Sequence, residues 1–301
     1  MMKLKVESTD LSKRLDVFVA EKLPEISRAF VGKLSEQGKV LVNGEGQRLS
    51  YKLKIGDKVD VDYATNELNL IPDIDLPVLY EDNDCVVINK PTGLLTHSKG
   101  AFNPEATVAT WLSHRQSADR RQQTTNQHSQ REGIVHRLDR GTSGVMILAK
   151  TPEALSWLQK QFSTRKVKKT YIAIITGELN PPEAIIDMPI ERNPRHPQTF
   201  RVGSQGKPAK THYRVLEVAN KEDSKLSLLE LKPETGRTHQ LRVHLKQLGH
   251  PIVGDTFYDG QTANRLFLHA LNLELTLPTH ERKVFTAVLP KEFKDYMDNS
   301  E

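Results

Sequence analysis

The sequence predicts an α+β protein made of a small N-terminal module and a larger, sheet-rich domain. Short apolar runs bounded by turn residues recur along the chain, and such runs are typical of strands. Other segments place apolar residues three and four positions apart, which is typical of helices. A stretch containing proline and aspartate at 64–76 predicts a linker between a module at 12–63 and a domain at 77–292.

The composition limits the class of protein. Of the 301 residues, 37% are hydrophobic, which is enough for a core, and the net charge of +5 favours an anionic partner such as nucleic acid. We expect no membrane span because no run of about 18 apolar residues occurs, and residues 1–7 lack the apolar core of a signal peptide. The single cysteine, Cys85, is predicted to be a core residue, and this cysteine usage indicates a cytoplasmic protein.

The N-terminal module is predicted to contain two helices and a small β unit. The first helix is expected between a cap at Ser12 and a stop at Pro24, and the second between a cap at Ser27 and a stop at Gly38. Asn43 and Gly44 form a strong turn signal. Strand-like runs lie on either side of this turn, at 39–42 and 58–61.

The larger domain is predicted to contain several strands and at least two helices. Thr151 is expected to cap a helix that has Pro152 at its first position, and helical spacing returns at 241–248 before Gly249. The polar stretch at 115–132 predicts a flexible surface loop. Strands are expected at 78–80, 86–88, 145–149, 170–175, 227–231, 266–277 and 284–289.

The loop at 133–144 is the most informative segment. Asp139 lies there between Arg137 and Arg140, and a turn and a buried strand follow. Alone, this arrangement would usually be a surface ion pair. The stretch HRLDRGTSG at 136–144, however, resembles the catalytic signature of the RluA-type pseudouridine synthases.

Further matches to this family follow along the chain in the family's order. The main ones are KKTY at 168–171 and PETGRTHQLRVH at 233–244. Supporting matches lie at 89–95, 249–255 and 266–270. The order from Ser27 to the segment at 208–213 also resembles the S4-bearing branch that acts on the large ribosomal subunit.

The resemblance implies a role for several residues in the isomerisation of uridine in RNA. Asp139 would be the catalytic carboxylate and Arg242 its basic partner, while Tyr171 would stack on the target base. Arg137 would enter the space left by the flipped base. Leu268 would form an apolar wall of the pocket, although core packing explains it equally well. The reaction involves no redox change and no energy input, so no cofactor is expected.

The resemblance also implies an architecture and partners. The catalytic domain would have a long mixed, mostly antiparallel sheet flanked by helices, with a cleft across its middle. The N-terminal module resembles the S4 RNA-binding fold, in which Arg14, Arg28 and Lys33 would contact phosphates. The expected partner is RNA, such as 23S-type ribosomal RNA or a ribosomal precursor, and the protein is expected to be a monomer.

Some of these sequence features are also compatible with other functions. One alternative is a catalytically silent RNA-binding or ribosome-assembly factor on the same fold, and another is a synthase directed at tRNA. A glycosidase would need a second carboxylate as its acid, whereas the signatures here pair the acid with arginine. The histidines are scattered without a compact ligand motif, so no metal site is expected. Attack on the sugar and attack on the base are both compatible with these residues.

Overall fold

The computed structural model describes residues 2–23, 26, 28–63, 72–98, 105–119, 133–221 and 224–298. Contacts divide the chain into two compact units. Unit 1 takes the described residues of Met1–Asp75 and His97–Glu132, and unit 2 takes those of Leu76–Thr96 and Gly133–Glu301.

Unit 1 combines helices with an antiparallel sheet of four strands in the order β1-β4-β2-β3. The predicted helices and strands of the module are confirmed, and β1 and β3 were not predicted. Apolar residues of α1, α2 and the strands form one core. The elements are β1 (Met2–Lys5), a short 3-10 helix (Ser8–Asp10), α1 (Leu15–Lys22), α2 (Arg28–Glu36), β2 (Val40–Val42), β3 (Glu45–Gly46), β4 (Lys58–Val61) and α3 (Val108–Asp119).

Two local predictions for unit 1 were wrong. Ser12 does not cap α1: it lies in a turn with φ of 62°, and its amide donates to the carbonyl oxygen of Leu53. The residue before the helix is Arg14, which makes no capping hydrogen bond. The polar loop predicted from residue 115 also begins too early, because α3 continues to Asp119. The rest of that loop, together with Pro24 and Ser27, lies outside the described residues.

Unit 2 is built on one large sheet in the order β5-β6-β7-β14-β8-β13-β12-β9, with β15 also paired to β14. Only β7 and β14 run parallel among its described pairs, which confirms the predicted mixed, mostly antiparallel sheet. The strands are β5 (Val78–Glu81), β6 (Cys85–Lys90), β7 (Ser143–Ala149), β8 (Lys168–Thr176), β9 (Glu183–Asp187), β10 (Ile190–Arg192), β11 (Phe200–Val202), β12 (Lys210–Lys221), β13 (Ser224–Pro233), β14 (Leu268–Thr276) and β15 (Arg282–Thr286).

Two of the three helices described in unit 2 follow the predicted end signals, and the third was not predicted. Thr151 accepts a hydrogen bond from the amide of Ala154, and Pro152 opens the helix, as predicted. Gly249, with φ of 84°, lies two residues after the end of the helix Gln240–Gln247. The helices are α4 (Pro152–Ser163), α5 (Gln240–Gln247) and α6 (Lys291–Asp298). No helix in the described part of the chain is long and apolar enough to cross a membrane.

The middle of the large sheet fixes where the Asp139 loop emerges. Every residue of β7 is buried, and β7 pairs with β14 at His269 and Ala270. A Cβ on Gly144, whose φ is 120°, would lie 2.2 Å from the carbonyl oxygen of Ala270, so only glycine permits this approach. The loop that precedes β7 therefore ends beside β14 and its neighbour β8.

Candidate active site

The loop that carries Asp139 is held by the segment that follows β6. The Thr96 hydroxyl donates to the carbonyl oxygen of Leu138 at 2.8 Å and accepts from the Leu138 amide at 3.2 Å. The amide of Gly93 donates to the carbonyl oxygen of Arg140 at 2.8 Å, and the Thr92 hydroxyl donates to Gly141. These contacts fix the backbone on both sides of Asp139. We call residues 90–96 the clamp.

Lys90 anchors the clamp from inside the protein. Its side chain is fully buried, and Nζ donates to the carbonyl oxygens of Pro91, Leu94 and Arg140. Burial lowers the pKa of Lys90 to about 7, and the negative charge of Asp139 opposes this shift. Three carbonyl acceptors engage all three N–H groups of the ammonium form.

His136 braces the same loop from its other end. Its Nε2 accepts a hydrogen bond from the amide of Ile147 in β7 at 3.1 Å, so Nδ1 carries the proton. The ring stacks on Phe162 of α4 with centroids 4.6 Å apart. Burial, reinforced by the charge of Lys169, lowers the pKa of His136 to about 3. His136 is therefore neutral and structural at physiological pH.

The predicted residues of the larger domain lie around one cavity. Asp139 and Arg137 come from the clamped loop, Tyr171 from β8, Arg242 from α5 and Leu268 from β14. Leu268 is 3% exposed and also belongs to the core, so both explanations given for it from sequence apply. Arg137 is exposed at the rim. The cavity is therefore formed by residues that are far apart in sequence.

The carboxylate of Asp139 faces one cation and one histidine. Its Oδ2 lies 3.3 Å from Nη1 of Arg242 and 3.9 Å from Nε2 of His239. The Asp139 side chain is 18% exposed, so it remains reachable from the cavity. A carboxylate held this way has little freedom to rotate, which suits a group that must meet a substrate in one orientation.

Arg242 has a second and tighter partner that the sequence did not reveal. Its Nε and Nη2 donate to the two carboxylate oxygens of Asp255 at 2.6 and 2.7 Å. The Asp255 side chain is completely buried. Two carboxylates therefore share one guanidinium, and the bidentate contact belongs to Asp255. Asp255 ends the supporting match at 249–255, and that match was the only sequence signal for it.

His239 occupies an unusual backbone position next to Asp139. Its φ of 56° and ψ of 19° place it in the left-handed region, immediately before α5. Its Nδ1 lies 2.8 Å from the hydroxyl of Tyr258, and that oxygen also accepts a hydrogen bond from the amide of Phe200. Burial lowers the pKa of His239. This backbone conformation is uncommon for a non-glycine residue, and the ring of His239 lies beside Asp139.

Tyr171 and Lys169 point to the same side of β8, two residues apart. Burial, followed by the negative charge of Asp139, raises the pKa of Tyr171, which keeps its hydroxyl protonated. Nζ of Lys169 donates to the carbonyl oxygen of Thr235, and burial lowers the pKa of Lys169 to about 8. Both side chains line the cavity that contains Asp139.

Gln240 holds the opposite wall of the cavity in place. Its Oε1 accepts from the Thr235 hydroxyl and the Arg237 amide, while Nε2 donates to the Lys210 carbonyl oxygen and the Thr211 hydroxyl. These contacts tie the loop before α5 to β12. Sequence reasoning assigned no role to Gln240, because its partners are distributed over two other segments.

The three basic residues predicted in the N-terminal module belong to unit 1. Arg14 and Arg28 both bind the carboxylate of Asp16, at 2.9 and 2.6 Å, and both remain partly exposed to solvent. Asp16 itself is buried. Lys33 is exposed on α2. Asp16 thus orients two guanidinium groups whose outer faces stay accessible.

No group of three or more potential metal ligands from histidine, cysteine, aspartate and glutamate occurs within the residues that the structure describes. Cys85 is buried, and burial raises the pKa of its thiol to about 12, which agrees with its predicted place in the core.

Comparisons with known proteins give the family. A family model described as RNA pseudouridylate synthase matches residues 84–247, and a model described as S4 domain matches residues 13–59. An uncharacterized RNA pseudouridine synthase of Chloroflexus aurantiacus is 40% identical over 304 residues, which cover 96% of this chain and 90% of that protein.

Two further similarities agree with this family. The ribosomal large subunit pseudouridine synthase D of Xylella fastidiosa is 39% identical over 82% of this chain and 72% of its own length. The structure of human RNA pseudouridylate synthase domain containing 1 is 30% identical, with a TM-score of 0.58 over 71% of this chain and 83% of that one. This chain therefore belongs to the RNA pseudouridylate synthase family, and it is a pseudouridine synthase, an isomerase, with an S4 domain in its N-terminal part.

Proposed function

We propose that this pseudouridine synthase modifies uridines in large-subunit ribosomal RNA and that Asp139 is its catalytic carboxylate. One observation carries the proposal of Asp139: its carboxylate is fixed by the clamp at the wall of a cavity and faces Arg242 and His239. The RNA class rests on the relatives named as ribosomal large subunit pseudouridine synthase D, from Xylella, Xanthomonas and Nitrosomonas.

The proposed chemistry needs a carboxylate and no external reagent. The bond between N1 of the base and C1′ of the ribose breaks, the base turns, and a bond forms between C5 and C1′. The proton on C5 is lost and N1 gains one, so atoms and electrons balance. Asp139 contributes either by a transient bond to a carbon of the nucleotide, which breaks again before the product leaves, or by removing a proton from the sugar and later returning it. Arg242 holds the carboxylate in place in both routes, because its Nη1 lies 3.3 Å from Oδ2 of Asp139.

The target uridine must leave its stack in the RNA before it enters this cavity. Arg137 is exposed at the cavity rim, two residues before Asp139. Its guanidinium is well placed to occupy the gap that the flipped base leaves in the RNA. Flipping costs a few kcal/mol, and phosphate contacts outside the cavity must offset it.

Tyr171→Phe separates the role of the ring from that of the hydroxyl. We expect RNA affinity to stay near the wild-type value, because the ring still stacks on the base, while turnover falls severely because the hydroxyl is lost. The measurement is single-turnover conversion of uridine, together with the dissociation constant for the same RNA. A wild-type rate in this variant would mean that the ring alone matters.

Unit 1 is proposed to supply phosphate contacts through Arg14, Arg28 and Lys33. Removing both arginines alone would leave the buried Asp16 unpaired, so the test variant combines Arg14→Gln, Arg28→Gln and Lys33→Gln with Asp16→Asn. We expect weaker RNA binding and a log–log salt dependence shallower by roughly 2 to 3, since each phosphate contact contributes about 0.9. Affinity is measured across a salt series.

The matched control for this experiment is Lys291→Gln combined with Lys294→Gln, which removes exposed charges on α6. We expect the control to keep the wild-type slope. Equal slopes for the test variant and the wild type would show that these residues of unit 1 do not contact RNA phosphates.

The RNA target is tested by mapping pseudouridines at nucleotide resolution in total RNA from cells with and without the gene. We expect specific positions in large-subunit ribosomal RNA to lose the modification and to regain it when the wild-type gene is restored. The purified protein should modify the same positions in a large-subunit RNA transcript. Restoration with Asp139→Asn should leave them unmodified.

Other outcomes would overturn parts of the proposal separately. Loss of the modification only in tRNA would refute the ribosomal target and leave the activity intact. Unchanged maps, combined with no conversion of transcripts or of extracted RNA, would indicate a catalytically silent RNA-binding protein on this fold.

A further inference from the structure

The turn between Ile252 and Gly260 contacts Arg242, a residue of the cavity wall, and is held together by backbone hydrogen bonds of its own. Its amides point inward: Asp255 donates to Ile252, and both Tyr258 and Gly260 donate to Asp255. Gly254 has φ of 79°, and a Cβ there would lie 1.8 Å from the carbonyl oxygen of Arg265. Such a turn can hold its side chains in fixed positions.

Asp255, which lies in this turn, fixes the orientation of the Arg242 side chain. It is 1% exposed, and its two oxygens bind Nε and Nη2 of Arg242. Asp139 is bound by Nη1 of the same guanidinium, at 3.3 Å. The plane of the guanidinium is thereby set by Asp255, and the ring of Tyr258 supports it from one side, with its centroid 4.9 Å from Cζ of Arg242.

Tyr258 also fixes the second neighbour of Asp139. Its oxygen accepts from the amide of Phe200, which leaves its own proton for Nδ1 of His239. We assign the tautomer of His239 that carries its proton on Nε2, because this N–H then points toward Oδ2 of Asp139. In the other tautomer, a lone pair on Nε2 would point at the carboxylate, which is unfavourable.

We propose that Asp255 and Tyr258 are positioning residues that act on Asp139 through Arg242 and His239, so that one turn orients both groups facing the catalytic carboxylate. Neither side chain is among those that line the cavity. This inference rests on the role of Asp139 proposed above. In addition, Asp255 and Tyr258 determine how Arg242 and His239 are oriented toward the carboxylate of Asp139.

The test uses Asp255→Asn and Tyr258→Phe in the full-length protein, with Asp259→Asn as the control. Asp259 lies on the same turn, is 80% exposed and contacts only Lys246 among the ion pairs described, so its variant should behave as wild type. We expect Asp255→Asn and Tyr258→Phe to lower the single-turnover rate constant by about 10- to 100-fold. The dissociation constant for the RNA should change by less than about twofold.

Double variants decide whether these residues act through their partners. In an Arg242→Ala background, Asp255→Asn should cause no further loss of rate, and in a His239→Gln background the same should hold for Tyr258→Phe. A merely structural role would instead multiply the losses or weaken RNA binding in parallel with the rate. Multiplied losses, parallel losses, or wild-type rates in the single variants would each overturn the inference.

Asp139→Asn measured alongside separates the two proposals. If Asp139→Asn turns over normally, the proposed role of Asp139 fails and the positioning of Asp139 has no catalytic meaning. If Asp139→Asn is inactive while Asp255→Asn and Tyr258→Phe retain the wild-type rate, only the positioning inference fails.

Discussion

Asp139→Asn abolishes pseudouridine formation while the protein still folds and binds RNA; this is the result we expect first. The amide has nearly the shape of the carboxylate, and its oxygen can still accept from Nη1 of Arg242, so packing survives. The catalytic carboxylate is lost, and the rate should fall by about four orders of magnitude or more, as when other enzymes lose a nucleophile. Conversion of a purified RNA substrate measures the effect.

The control for this variant is Asp295→Asn, an equivalent change on α6 that should leave conversion unchanged. Circular dichroism and the dissociation constant for the RNA establish that Asp139→Asn is folded and binds. Substantial turnover by a folded variant would remove Asp139 from the mechanism.

Arg242→Ala should produce the largest combined effect on rate and stability. It removes the cation beside Asp139, so turnover should fall by orders of magnitude. It also leaves the fully buried carboxylate of Asp255 without its bidentate partner, and breaking a buried pair of this kind destabilises by about 3–5 kcal/mol. Urea unfolding measures the stability, and single-turnover conversion measures the rate.

A second variant keeps this prediction testable if Arg242→Ala does not fold. Arg242→Met combined with Asp255→Leu replaces the pair by apolar side chains, and such a replacement is often neutral for stability. We expect this double variant to fold and to remain inactive. Normal activity in either variant would show that Asp139 works without Arg242.

Sequence analysis could select candidate residues for the site, because each lies in a short segment with a distinctive order of residue types. Asp139, Tyr171 and Arg242 come from separate segments, and the structure brings them to one cavity. Asp255 was missed as a partner of Arg242, because their contact joins α5 to a separate turn in which Gly254 packs closely against the backbone of Arg265. A tertiary contact of this kind cannot be recognised from the order of residues in the sequence.

The errors in the fold have a similar origin. Ser12 has the side chain of a helix cap, but its amide pairs with the distant Leu53, so a tertiary contact overrode the local preference. Strand β12, Lys210–Lys221, was not predicted, and a bulge between Val215 and Glu217 interrupts the alternation of its side chains. Its strand geometry comes from its neighbours β9 and β13.

The clamp around the Asp139 loop has a consequence for how the substrate range of this enzyme can change. It grips the loop largely through backbone groups of Leu138, Arg140 and Gly141, and it leaves the side chains of Arg137 and Arg140 exposed. Arg140 also donates from Nη1 to the carbonyl oxygen of Gly93, whereas a change of the Arg137 side chain leaves the backbone hydrogen bonds at Leu138 and Gly141 in place. If Arg137 contacts the RNA as proposed, substitutions there should change which RNA is accepted at the rim, while the backbone support of Asp139 is retained.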